Sequence, residues 1–251
     1  MVLPLYNEER NICSVLRFIR TLEFVDEVVA VDDGSTDGTA ELVRGEAWSG
    51  VRLIRQADNR GKTKTVITGV AAARHSTILL FDGDLSGVTR AEMKQLLVRY
   101  EQGYDLVLMH YGGQRFLSQR IVDASPAVSG VRILARKHFE RIRFRENDRF
   151  QLDQRITDHF MDNGFSVAVV NSPGLRTPSK SEKYGVWRGF PMDVKARWEV
   201  LLGNGIAGLP RLVRRFRYLR SLVDNGAIHE GNRRLTRSAI PDQTRQGPLR
   251  S

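Results

Sequence analysis

The 251 residues carry 41% hydrophobic and 27% charged side chains, ordinary for a globular chain and enough to build a core. One cysteine, Cys13, rules out an intrachain disulfide, and the lack of an apolar run near 18 residues rules out a membrane-spanning helix. The net charge of +10 is uneven: from Arg211 onward ten arginines face three acids, so the basic character belongs to a C-terminal tail.

Short β-rich runs alternate with helical spacing. VLPLY at 2–6 predicts a strand that begins almost at Met1, so its upstream end looks clipped. Ile12, Val15, Leu16 and Ile19 keep the period of a helix, which places Cys13 as a packed thiol rather than a nucleophile. VDEVVAVDD at 25–33 is a strand, STDGTAELVR opens a helix, and VRLIRQ at 51–56 is a third strand. A helix over 61–74, a strand over 76–84, and a helix capped by the T-x-x-E box of Thr89 and Glu92 follow. YDLVLMH at 104–110 makes a fifth strand. This alternation predicts an α/β fold with an open, mostly parallel sheet and helices on both faces.

The second half is less regular. SGVRILAR at 129–136 starts as a strand and runs into a short helix. Leu152, Ile156 and Phe160 mark a helix ending near Gly164, and FSVAVVN at 165–171 is a strand. A Ser-, Pro- and Lys-rich loop over 172–185 precedes a helix with Trp187, Val194 and Trp198. The division expected is a catalytic domain over 1–205 and a basic tail over 206–251, disordered from 225.

Chemistry gathers at strand ends, where open α/β sheets bind ligands. The first strand ends in YNEE, the second in DDGSTD and the fourth in DGD. If Asp82 and Asp84 continue the strand, both carboxylates lie on one side, and Gly83 lets a phosphate or metal approach the backbone. Such a pair suits a hard divalent cation shared with substrate phosphates. An Asp-Gly pair can also simply turn the chain. The five histidines show no ligand spacing, which argues against a His/Cys zinc site.

LPLYNEE (3–9), VDDGSTDGT (31–39), NRGKTKTVITG (59–69) and FDGDLSG (81–87) resemble, in order and spacing, the family 2 glycosyltransferases with the GT-A fold. The segments SGVRIL and KSEKYGVWRG are similar to parts of bacterial members. The resemblance implies a metal-dependent, inverting transfer of a sugar from a nucleoside-diphosphate sugar to an acceptor. The acceptor could be a lipid-linked phosphate, a glycan or a small molecule. It places Asp33 on the base and ribose, with Pro4, Tyr6 and Glu8 shaping that pocket. Asp82 would approach the ribose and sugar, Asp84 would ligate Mg²⁺ or Mn²⁺, and Asp153 would be the catalytic carboxylate.

The residues admit plainer readings beside these. Asp153 is also a helix-start carboxylate favoured by the macrodipole. Lys62 meets phosphate or is a solvated surface lysine. Lys180 and Lys183 close over the diphosphate or merely keep a loop soluble. Arg132 faces the acceptor or pairs with a local carboxylate. Two positions depart from the family's habit: Thr63 where a glycine is frequent, and Gly83 where Ala or Ser is common.

In the tail, Leu212, Val213, Phe216, Leu219 and Val223 share one helical face. That stripe either docks on the catalytic domain or lies on an anionic membrane surface. The expected location is cytoplasmic, peripheral at the inner face of a membrane in the second case. No nucleic-acid-binding motif accompanies the charge. The rival to catalysis is a nucleotide-sugar binder that has lost activity. A dinucleotide-binding dehydrogenase is disfavoured, because DDGSTDGT lacks the G-x-G-x-x-G fingerprint.

Overall fold

The computed structural model describes residues 1–45, 50–111, 130–145, 148, 151–177, 213–214, 217–219 and 221–222. Its elements are β1 (Val2–Leu5), α1 (Ile12–Arg20), β2 (Val28–Asp32), α2 (Thr39–Gly45), β3 (Val51–Arg55), α3 (Lys62–Ala72) and β4 (Thr77–Leu80). Then come α4 (Arg90–Glu101), β5 (Leu106–Tyr111), β6 (Arg132–Ala135), α5 (Arg136–Phe139), α6 (Leu152–Asp162) and β7 (Val167–Ser172). The expected helix around Trp187, Lys180, Lys183 and the tail beyond 222 lie outside the described residues.

The strands form one seven-stranded sheet in the order β3-β2-β1-β4-β6-β5-β7. Pairing is parallel except at β6, which runs antiparallel to both β4 and β5. The sheet is mostly parallel, as the alternating pattern predicts; β6 is inserted between β4 and β5, so β5 keeps the direction of β4 but finds its parallel partner in β7. The order reverses at β1, where β2 lies on one side and β4 on the other. A crevice beyond the carboxyl ends of β1 and β4 follows from that reversal.

Alternate residues of the strands feed two apolar layers. Leu3, Leu5, Leu79 and Phe81 meet α1, α2 and α4 on one face. Val2, Val31, Ile78 and Leu80 meet α3, α5 and α6 on the other. On α1 the predicted positions Ile12, Val15, Leu16 and Ile19 are all buried. The Thr89–Glu92 capping box forms in both directions at the start of α4.

Helix α3, KTKTVITGVAA, is rich in β-branched residues and owes its stability to packing rather than propensity. Gly69 lets it lie close to the sheet: a Cβ there would stand 2.4 Å from Val2 Cγ1 and 3.1 Å from Val31 Cγ2. That contact fixes the start of α3, and with it Lys62, at the carboxyl end of the sheet.

The described part of the tail is docked. Leu219 and Leu222 are buried in the layer that holds α3 and α6, and Arg214 pairs with Asp162 at 3.2 Å. Of the two readings of the apolar stripe, these residues follow the docked one.

Candidate active site

The loops after β1 and β2 are stitched together. Asn7 adopts φ +54°, a left-handed conformation that asparagine tolerates. Its Oδ1 accepts from the Thr36 amide at 2.9 Å, and its own amide donates to Ser35 Oγ at 2.9 Å. The Glu8 amide donates to Thr39 Oγ1 at 2.8 Å, and Glu9 Oε2 accepts from the Gly38 amide at 2.8 Å. YNEE and DDGSTDGT thus form one rigid rim. Pro4 is half-buried on it and Tyr6 is exposed beyond it. Glu8 is buried, with Oε2 accepting from Asn11 Nδ2 at 2.9 Å.

Asp33 is buried, and its two oxygens accept from the amides of Arg60 and Gly61 at 2.7 and 2.8 Å. It therefore ties the second strand's rim to the start of α3. Gly61 itself has φ +87°, a conformation that glycine reaches without strain.

Strand β4 stops at Leu80, and Asp82-Gly83-Asp84 enters a turn. The expectation that both carboxylates extend the strand gives way to that turn. Gly83 also has a different reason from the one expected. A Cβ there would lie 2.4 Å from Leu5 Cδ2 and 3.2 Å from the Pro4 carbonyl, so the glycine seats the turn against β1. The same Cβ would be 3.5 Å from Glu8 Cγ, which brings the YNEE rim beside the acidic turn.

At the centre stands one lysine between two carboxylates. Lys62 Nζ lies 2.8 Å from Asp82 Oδ2 and 3.2 Å from Asp153 Oδ2. Asp153 is on the first turn of α6, and its Oδ1 is 3.1 Å from Arg132 Nε. Arg132 Nη1 also donates to the Asp153 carbonyl at 2.8 Å and to Thr157 Oγ1 at 3.1 Å. Of the two readings of Arg132, facing the acceptor or pairing with a local carboxylate, the geometry follows the second: it is fully buried and holds Asp153, because a guanidinium set between Val131 and Ile133 must find its partners inside.

Burial and the nearby charges of Asp153 and Asp84 outweigh Lys62 and push the Asp82 carboxyl up to about 6. Burial would lower the Lys62 ammonium, but Asp153 and Asp82 hold it above its usual range. Two further residues face this cluster: Gly130, from the SGVRIL segment, and Tyr111, which stood in no motif. A Cβ on Gly130 would stand 2.2 Å from Asp82 Oδ2, so that glycine makes room for the carboxylate. The Tyr111 hydroxyl is raised by burial, opposed by its 2.7 Å hydrogen bond with Thr177, and raised again by Asp82 and Asp84.

A rim of YNEE and DDGSTD, an acidic turn, and a helix-start carboxylate over one sheet edge coincide with a known family. Residues 1–171 match the model of the glycosyl transferase family 2. The chain belongs to that family. Relatives include an undecaprenyl-phosphate 4-deoxy-4-formamido-L-arabinose transferase of Pseudomonas paraeruginosa, 34% identical over 114 residues, covering 43% of this chain and 33% of the relative. A dolichyl-phosphate β-glucosyltransferase of Trichomonas vaginalis is 35% identical over 102 residues, covering 36% of this chain and 30% of the relative. The matched segments thus take in about a third of these relatives' lengths.

Among solved structures, a glucosyl-3-phosphoglycerate synthase of Mycobacterium tuberculosis with Mn²⁺ and UDP-glucose superposes with a TM-score of 0.61. It is 23% identical, over 80% of this chain and 77% of that one. A mannosyltransferase of Pyrobaculum calidifontis with GDP-mannose and Mn²⁺ gives 0.60 at 18% identity, over 90% and 74%. The fold of this family 2 chain is GT-A.

Among the described residues no group of three His, Cys, Asp or Glu side chains could hold a metal. The acidic turn offers two hard carboxylates whose mutual repulsion is part of what raises Asp82. One or two carboxylates completed by diphosphate oxygens is a common arrangement for Mg²⁺-type ions, and the residues fit it. Structure thus brings Asp82, Asp153, Lys62 and Arg132 together, seats Glu8 beside them, and uses Asp33 one loop away.

Proposed function

We propose that this family 2 chain moves a sugar from a nucleoside-diphosphate sugar to an acceptor, with inversion at the anomeric carbon. One observation carries the reading: a single ammonium spans Asp82, on the acidic turn, and Asp153, at the head of α6. A donor-side carboxylate and a candidate base therefore share one counter-ion. The family match over 1–171 and relatives named as sugar transferases support it.

Asp84, with Asp82 beside it, would hold the Mg²⁺ or Mn²⁺, which supplies positive charge to the leaving diphosphate. Asp33, Pro4, Tyr6 and Glu8 line the side where the nucleotide would lie. Lys62 leaves the carboxylates and meets the diphosphate, adding charge where charge develops. The acceptor oxygen bonds to the anomeric carbon as the bond to the diphosphate oxygen breaks, and the electron pair leaves with the diphosphate. Asp153 Oδ2, vacated by Lys62, takes the acceptor's proton. Arg132 keeps that carboxylate in place. Lys180 and Lys183 are proposed to close over the diphosphate. The acceptor is proposed to be a lipid-linked phosphate, a glycan or a small molecule. A lipid-linked one would bring the tail's arginines to the anionic inner face of a membrane.

The test is a screen of UDP- and GDP-sugars with Mn²⁺ by thermal shift, followed by transfer assays. Asp153→Asn should lower transfer by roughly 10²–10⁴-fold, the usual worth of a general base, while donor affinity holds. Donor binding without transfer or hydrolysis for every sugar tried would favour the inactive binder instead.

A further inference from the structure

A second concavity adjoins the α3 start. Its volume is about 320 Å³, the lower end of the range for small-molecule sites. Arg60, Thr63, Lys64 and Ile67 line it from the α3 start, and Phe144, Arg145 and Asp148 from the segment before α6. Among the described lining residues, three cations thus stand against one acid.

That acid is already spent. Asp148 is buried, and Arg155 grips it through Nε at 2.9 Å and Nη2 at 3.0 Å. Its Oδ2 also accepts from the Arg145 amide at 2.7 Å. Among the described residues no carboxylate pairs with the side chains of Arg60, Lys64 or Arg145. Thr63 is 2% exposed and gives this wall a packed, closed surface.

We infer that this cleft, walled by Arg60, Thr63, Lys64, Phe144 and Arg145, binds a small phosphate monoester, separately from the donor's diphosphate. Two guanidinium groups and an ammonium match the charge and oxygens of a phosphate dianion. The volume exceeds one phosphate, and Phe144 with Ile67 gives the organic part an apolar wall. The occupant would bind the start of α3 to the segment before α6, the elements that carry Lys62 and Asp153.

Calorimetry with inorganic phosphate and with glycerol 3-phosphate tests this, on the full chain saturated with UDP and Mn²⁺. Binding that persists under saturation is the expected result. Lys64→Gln and Arg145→Gln should each weaken it by about tenfold or more, the worth of a charge-assisted hydrogen bond, with UDP affinity unchanged. Absence of binding, or displacement by UDP–Mn²⁺, would overturn the inference. So would equal binding by the wild type and both variants. Turnover of the bound ester would mark it as an acceptor, and a changed rate without its consumption as an effector; either supports the site.

Discussion

Lys62 and Asp153 are 91 positions apart, yet their charged atoms meet at 3.2 Å. The same ammonium lies 2.8 Å from Asp82, so removing it leaves two carboxylates facing each other in a mostly buried site. Lys62→Met should therefore destabilise the donor-free protein by about 1–3 kcal/mol, less than for a fully buried pair because the side chain keeps some solvent. Lys62→Arg should recover most of that loss. Urea denaturation of the three proteins checks it, and equal midpoints for Met and wild type would refute the bridging role.

Asp82 sets an acid limit. Its carboxyl is pushed up to about 6 by burial and by Asp153 and Asp84. Below that pH the free protein holds a proton there, and a cation must displace it. The affinity for UDP with Mn²⁺ should then fall as pH drops through 6, by about tenfold per unit once Asp82 is protonated. Above pH 7 the affinity should be flat with respect to this group. Calorimetry at pH 5, 6 and 7 measures it; a constant affinity across that range would show that Asp82 takes no part.

Gly130 owes its identity to Asp82. A methyl group at this position would lie 2.2 Å from the carboxylate oxygen and 2.6 Å from its carbon. Gly130→Ala should turn the Asp82 carboxylate away from Lys62 and lower transfer by about tenfold or more, in line with what a small misplacement of a reacting group costs. Gly45→Ala is the control, since nothing lies within 4 Å of a Cβ there. Similar turnover in both variants would remove Gly130 from the site.

Local signals in the sequence carried the elements well, and long-range ones did not. The spacing of Ile12, Val15, Leu16 and Ile19, and the Thr89–Glu92 box, depend on neighbours a turn away, and both are realised. The place of β6 depends on which strands it meets across the sheet, and its antiparallel insertion was not legible. The motif residues Lys62, Asp82 and Asp153 were legible as candidates, but the ion pairs joining them were not. Arg132 did carry a readable signal: an arginine between Val131 and Ile133, in a run bound for the sheet, must be buried with a partner. Gly83 and Gly130 stood inside quoted motifs, but the reason for each was not legible, because it is a side chain from another strand end.

The tail's docking is a stability claim. Leu219 is fully buried in the layer shared with α3 and α6, whereas Val213 is 43% exposed. Leu219→Ala removes packed methyl groups from a core and should cost about 2–5 kcal/mol. Val213→Ala should change stability by no more than about 0.5 kcal/mol, as exposed substitutions do. Chemical denaturation of both variants decides it. If the two are equally mild, the stripe is not held by the catalytic layer, and a membrane surface regains its claim on these residues. A vesicle-binding assay on Leu219→Ala then gives a second readout: loosening a docked stripe should raise its affinity for anionic vesicles, while a stripe already free should bind them less well once a leucine is lost.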